Sequence, residues 1–150
     1  MNTNIRAGLI FMQASGLKHK VLAIAPELFS DTPVQFAYLY GSVAKETTSP
    51  FSDLDVAIFV EGLDRKNSLD LELSLSLDMD NLLGHIIESE IRIINYLPLI
   101  VQGDIVTTGI LIYCRNDNKR VDFESNLRMA YFDFLPVIRH YRRLSLGVEK

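Results

Sequence analysis

Gly41-Ser42-Val43-Ala44-Lys45-Glu46-Thr47-Thr48-Ser49-Pro50-Phe51-Ser52-Asp53-Leu54-Asp55 separates two runs rich in β-branched and aromatic residues. The run before it, Val34-Gln35-Phe36-Ala37-Tyr38-Leu39-Tyr40, reads as a buried strand that stops at Gly41. Glycine there lets the backbone turn sharply and come close to a ligand. A short helix opening near Val43 would aim its free N–H groups, with the Ser42 hydroxyl, at a phosphate, and Lys45 adds a charge.

After the stretch comes Val56-Ala57-Ile58-Phe59-Val60, so Asp53 and Asp55 stand at the start of a second strand. Side chains at i and i+2 of a strand share a face, about 6.6 Å apart at roughly 3.3 Å per residue. Two carboxylates so placed repel each other unless a cation lies between them. Mg²⁺ suits the position: it is a hard ion that takes one or two carboxylates and completes its shell with water and phosphate oxygens. A phosphate cradle joined to a carboxylate pair points to nucleotide chemistry. Either half alone is weaker, since Gly-Ser is a common turn dipeptide and the aspartates can cap a turn.

Gly41-Ser42, ten intervening positions, then Asp53-x-Asp55 resembles the signature of the polymerase-β-type nucleotidyltransferase superfamily. The small size resembles its minimal nucleotidyltransferase (MNT) branch, whose members often act as antitoxins beside a HEPN-domain toxin. The likeness spans most of residues 17 to 143, strongest at 36 to 60 and loosest at 61 to 84. It implies an α/β (α+β) fold, with a mixed sheet of about four strands backed by helices, and a single domain over residues 1–150. Asp53 and Asp55, with Glu90 as a third acid, are implied as catalytic ligands of two Mg²⁺ ions. Gly41, Ser42, Lys45 and Ser52 are implied to hold the ATP. The implied reaction is transfer of AMP to a tyrosine hydroxyl of a partner HEPN toxin. Neutralisation by binding alone, and transfer to a small hydroxyl compound across a homodimer, are the alternatives, so both homo- and hetero-oligomers are open.

The sequence departs from the family pattern at three positions. Glu90 stands where Asp is usual, one methylene longer but still able to reach a metal. Lys45 replaces a common Arg, keeping the charge without the planar fork. Glu46 replaces a common Gly and would repel phosphate unless it points outward.

The rest of the chain supplies the frame. Leu17, Val21, Ile24 and Leu28 recur at helical spacing, with Pro26 as a possible end or kink; residues 1 to 14 could extend that helix or form another. Leu69, Leu71, Leu73, Leu75 and Leu77 alternate as in a strand, but Leu69, Leu73 and Leu77 also share a helical face. Length, leucine content and Gly84 as a stop favour a helix, capped from Asn67 or Ser68. Glu88 to Asn95 alternates again, with Glu88, Glu90 and Arg92 on one face and Ile91 and Ile93 on the other, and predicts a third strand. Bland as it is, a Glu90–Arg92 charge pair on a solvated face fits this run too. Pro98 to Gln102 opens a short helix stopped by Gly103, and Gly109 to Tyr113 reads as a fourth strand at an edge. A helix from about residue 119 to 143, interrupted by Pro136, carries Phe123, Leu127, Ala130, Tyr131, Phe134, Leu135 and Ile138. Its clustered Tyr131, Phe132 and Phe134 make it a candidate partner surface.

With 150 residues, 48% of them hydrophobic, the chain can build a real core. A net charge of -4 argues against a dedicated nucleic-acid binder, which would carry a basic stripe. No leader and no membrane span are read, making the cytoplasm the expected location. The single Cys114, within Ile-Leu-Ile-Tyr-Cys, reads as a strand residue with no catalytic role.

Overall fold

The computed structural model describes residues 14–47 and 52–146. The expectation for residues 1 to 14 therefore lies almost wholly outside the described residues, as does the Thr48 to Phe51 part of the Gly41–Asp55 stretch. Helix α1 (Ala14–Phe29) leads into β1 (Val34–Tyr40), the single turn α2 (Gly41–Ala44) and β2 (Leu54–Val60). Helix α3 (Arg65–Leu82) crosses to β3 (Ser89–Ile93), and a 3₁₀ turn (Ile94–Tyr96) leads on to α4 (Leu99–Thr108). Strand β4 (Ile110–Cys114) and the long α5 (Asp117–Ser145) follow.

The four strands form one mixed sheet in the order β3-β2-β1-β4. β1 pairs antiparallel with β2 and β4, whereas β2 and β3 run parallel, an arrangement that needs a crossover such as α3 rather than a hairpin. Central β1 is apolar on both faces because both are covered. On one face Ala37, Leu39, Val56, Ile58, Ile91 and Ile93 pack with Leu17 and Val21 of α1 and Leu75 and Met79 of α3. On the other, Phe36, Tyr38 and Ala57 meet Ile105 and Val106 of α4 and Leu127 of α5. Phe36 stacks on Phe59 with ring centroids 4.5 Å apart, and Phe123 leans on both rings. The fully buried Phe36 ring stabilises the fold by roughly 1.5–3 kcal/mol, and the half-buried Phe59 and Phe123 by less.

The outer edge of β3 is sealed by α3 rather than left open. Asp80 Oδ1 accepts from the Ser89 amide at 2.8 Å, Ser76 Oγ from the Ile91 amide at 3.1 Å, and Glu72 Oε1 from the Ile93 amide at 2.9 Å. The match is geometric: four residues of helix rise about 6 Å, and two residues of strand about 6.6 Å. An i, i+4 row of polar side chains on α3 therefore tracks the i, i+2 row of outward N–H groups on β3.

Four sequence readings need correction. Gly103 does not stop a helix; α4 runs through it to Thr108, because a Cβ at Gly103 would overlap the Tyr131 ring and glycine lets α4 and α5 approach closely. Pro136 does not interrupt α5, which passes through it with the proline on the exposed side, where a missing bond is solvated. Leu69, Leu73 and Leu77 do share one face of α3, and it is the outer one: they are 53%, 67% and 63% exposed, while Leu75 and Met79 are buried. The cap of α3 is Asp64, whose carboxylate accepts from the Asn67 amide at 2.8 Å. Pro26 likewise sits inside α1 rather than ending it. Gly84, in the left-handed region at φ 66°, follows the end of α3 as read, and Asn116 caps α5 by accepting from the Lys119 amide. No helix among the described residues is long and apolar enough to cross a membrane.

Candidate active site

Gly41 is at φ 75°, a left-handed conformation that favours glycine, and a Cβ there would overlap Oδ2 of Asp55. The turn and the carboxylate are thus packed backbone against side chain. Val43, fully buried, anchors the single turn of α2, and Thr47 N–H donates to the Ser42 carbonyl at 2.9 Å. Ser42 is half-buried, and no side chain caps the start of this turn. Lys45 is exposed, with Nζ 3.8 Å from Asp104 Oδ2 on α4. Glu46 turns outward and pairs with Lys18 of α1 at 3.2 Å, so it does not oppose a phosphate at the turn.

Asp55 lies within β2, whereas Asp53 falls just before the strand, with the buried Leu54 between them fixing the run. Ser52 immediately precedes the pair and is half-buried. The parallel register sets Glu90 of β3 directly beside Asp55. At Asp55 the carboxyl pKa is pushed up to about 6. Burial is the main cause, followed by the charges of Glu90 and Asp53, with Arg92 acting in the opposite sense.

Two residues at the site were missed as functional. Tyr40, the last residue of β1, is paired in register with Asp55; burial, then the Asp55 charge, pushes its hydroxyl up to about 12, so it stays a proton donor. Arg92 Nε donates to Glu90 Oε1 at 2.8 Å, and its positive charge opposes the upward shifts of Asp55 and Tyr40. The sequence did carry the Glu90–Arg92 pair as its blander reading, and strand alternation had already put the two residues on one face. Tyr40 could have been found as the residue that precedes the Gly41 turn.

The donor type suits a hard divalent cation, which takes one or two carboxylates, and the negative charges of Glu90 and Asp53 act on Asp55. The fit is best for Asp53 and Asp55. Glu90 is engaged by Arg92, and among the described residues no group of three or more His, Cys, Asp or Glu side chains is arranged to hold a metal.

Residues 23–118 match the family described as "Polymerase beta, Nucleotidyltransferase". The chain belongs to this family, and its mixed sheet with the Asp pair at the start of β2 is the part that the match contains. Among solved structures it is similar to a chain of a tri-AMPylated Shewanella oneidensis HEPN toxin in complex with an MNT antitoxin, at a TM-score of 0.56 and 16% identity over 83% of this chain and 98% of that one. It is similar also to a chain of a toxin–antitoxin complex with AMP-PNP (TM-score 0.55, 17% identity, 83% and 98% covered). A third likeness is to the toxin–antitoxin complex MntA–HepT (TM-score 0.54, 16% identity, 81% and 97% covered). At such identities the likeness is one of fold. No curated protein matches the chain in sequence.

Proposed function

We propose that this nucleotidyltransferase is an antitoxin that moves AMP from ATP onto a tyrosine hydroxyl of a HEPN-domain toxin. The observation that carries the reading is the packing of Gly41 against Asp55 with Glu90 one strand away, which joins a phosphate-sized turn to a cluster of acids. The shared fold with chains of MNT–HEPN complexes, one with an AMPylated toxin and one with AMP-PNP, supports the choice of acceptor and donor.

In this reading Asp53 and Asp55, with Glu90 once released from Arg92, are the residues that would hold Mg²⁺. When bound, Mg²⁺ offsets phosphate charge and eases deprotonation of the acceptor. Backbone at Gly41 and Ser42 holds the phosphates, Ser52 and Lys45 flank them, and the Tyr40 hydroxyl donates into the site. The acceptor oxygen bonds to the α-phosphorus, the bond to the β-phosphate oxygen breaks, and pyrophosphate leaves with the electron pair. The acceptor proton passes to water by way of Glu90. Catalysis is then mostly positioning and charge neutralisation.

One observation favours a second reading, neutralisation by binding alone: Glu90 is tied to Arg92. Incubating this protein, a HEPN-domain toxin that it binds, ATP and Mg²⁺ should raise the toxin's mass by one or more adenylyl units. Asp53→Asn should leave the mass unchanged. A toxin silenced equally by wild type and Asp53→Asn, with no mass change, selects the binding-only reading.

A further inference from the structure

Helix α5 has an inner face marked by Leu127 and Ile138, which are buried, and by Tyr131, which lies against Gly103 of α4. At about 100° per residue the opposite face carries Asp122, Ser125, Met129, Phe132, Pro136 and Arg139. All six are exposed, Met129 and Phe132 at 68% and 60%. Their steps alternate between three and four residues, which is the spacing that keeps a seam facing a second helix. The seam is apolar in the middle, acidic at one end and basic at the other.

We propose that this seam is where a second copy of the chain docks, its α5 lying antiparallel to the first. A two-fold axis level with Ala130 and Tyr131 sets Asp122 against the partner's Arg139, Ser125 against the partner's Pro136 and Met129 against the partner's Phe132, each contact occurring twice. Exposed ion pairs stabilise little, so the end layers set the direction while the thioether and ring of the central layers supply the burial.

The symmetry of the seam is what selects a second copy. Read from either end the spacing is the same, and the terminal charge changes sign. An antiparallel pair of identical helices needs that pattern, whereas a partner of unrelated sequence does not. Parallel helices would instead press Asp122 on its own copy and Arg139 on its own copy. A polyanion such as nucleic acid would meet the exposed Asp122 and Asp133 and leave Met129 in water. The pairing does not depend on the transfer reading.

Sedimentation velocity of the full chain, without nucleotide or metal and from micromolar to millimolar concentration, tests it. Wild type should dimerise reversibly. Asp122→Arg and Arg139→Asp should each weaken self-association at least tenfold, because each turns both end layers into like-charge contacts. An equimolar mixture of the two variants should dimerise again, since every end layer then joins an arginine to an aspartate. Circular dichroism should be the same for all three chains, both positions being exposed. A wild type that stays monomeric throughout overturns the proposal and leaves this face to a partner of another kind. A dimer that neither variant weakens, or a mixture of folded variants that stays dissociated, overturns it as well.

Discussion

Arg92 holds Glu90 through Nε at 2.8 Å, and Glu90 is the residue that the parallel register sets beside Asp55. The third acid of the site is therefore neutralised by its own strand while the Asp pair is not. Arg92→Ala should free Glu90 and tighten Mn²⁺ binding to the nucleotide-free protein about two- to fivefold, the range open to an exposed pair worth up to about 1 kcal/mol. In a Glu90→Gln background the gain should vanish. Titration of both variants by electron paramagnetic resonance checks this, and an equal gain in both backgrounds would show that only the long-range field had changed.

Asp55 gives a pH dependence. Its folded pKa of about 6 lies above the ordinary carboxyl value of 3.8, so the folded state retains a proton that the unfolded chain releases. The stability it contributes is full below pH 3.8 and is lost as pH rises through 6. Asp55→Asn should therefore stabilise the metal-free protein at pH 7.5, by on the order of 1 kcal/mol once solvent screening is discounted, and by nothing near pH 3.5. Denaturant melts at both pH values measure it. A gain that persists at the lower pH would assign the effect to packing.

Gly41→Ala should cost about 1–2 kcal/mol for the left-handed backbone, and more for the overlap with Asp55. In an Asp55→Ala background the second part should disappear. A double-mutant cycle from thermal melts separates the two, and strict additivity would show that turn and carboxylate do not press on each other.

At the α4–α5 contact, Gly103→Ala pushes a methyl into the Tyr131 ring and should destabilise by about 1–3 kcal/mol, an overpacking penalty. Tyr131→Ala should make the same change at Gly103 nearly neutral. Urea melts of the single and double variants read the coupling.

Ser76→Ala removes the acceptor for the Ile91 amide and should cost about 1–3 kcal/mol, the penalty for an orphaned buried donor. Hydrogen exchange should speed up at Ile91 before it does at Ile58 in the neighbouring strand. Uniform change across the sheet would mean that the seal is not local.

How much of this was legible depends on whether a residue's role is local. Strand β1 matches its sequence reading residue for residue, since an unbroken apolar run ending in Tyr40-Gly41 has few other solutions. Asp55 stands at the start of β2 as its sequence reading has it, whereas Asp53 lies one residue before the strand, because strand pairing begins only at Leu54. Gly103 misled because helix-stopping and close helix packing both select glycine, and only the ring of Tyr131, far off in sequence, tells them apart. Pro136 misled because its cost depends on which side of α5 faces water. On α3 leucines fill the exposed row, while the buried row includes Ser68, Leu75 and Met79, so hydrophobicity alone could not orient the helix. Glu72, Ser76 and Asp80 look like an ordinary solvated row until the strand they serve is in place.

The bonding of α3 to β3 works as a length gauge. Because one helical step of four residues is matched to one strand step of two, deleting a single residue between Glu72 and Asp80 would turn the row by about 100° per residue and strip amides on one side of the break. Insertions in α3 are thus tolerable only beyond Glu72 and Asp80, at the ends of the helix. Any relative of this chain that keeps the parallel edge must keep the interval between those two residues, whatever happens to the leucines on the other face.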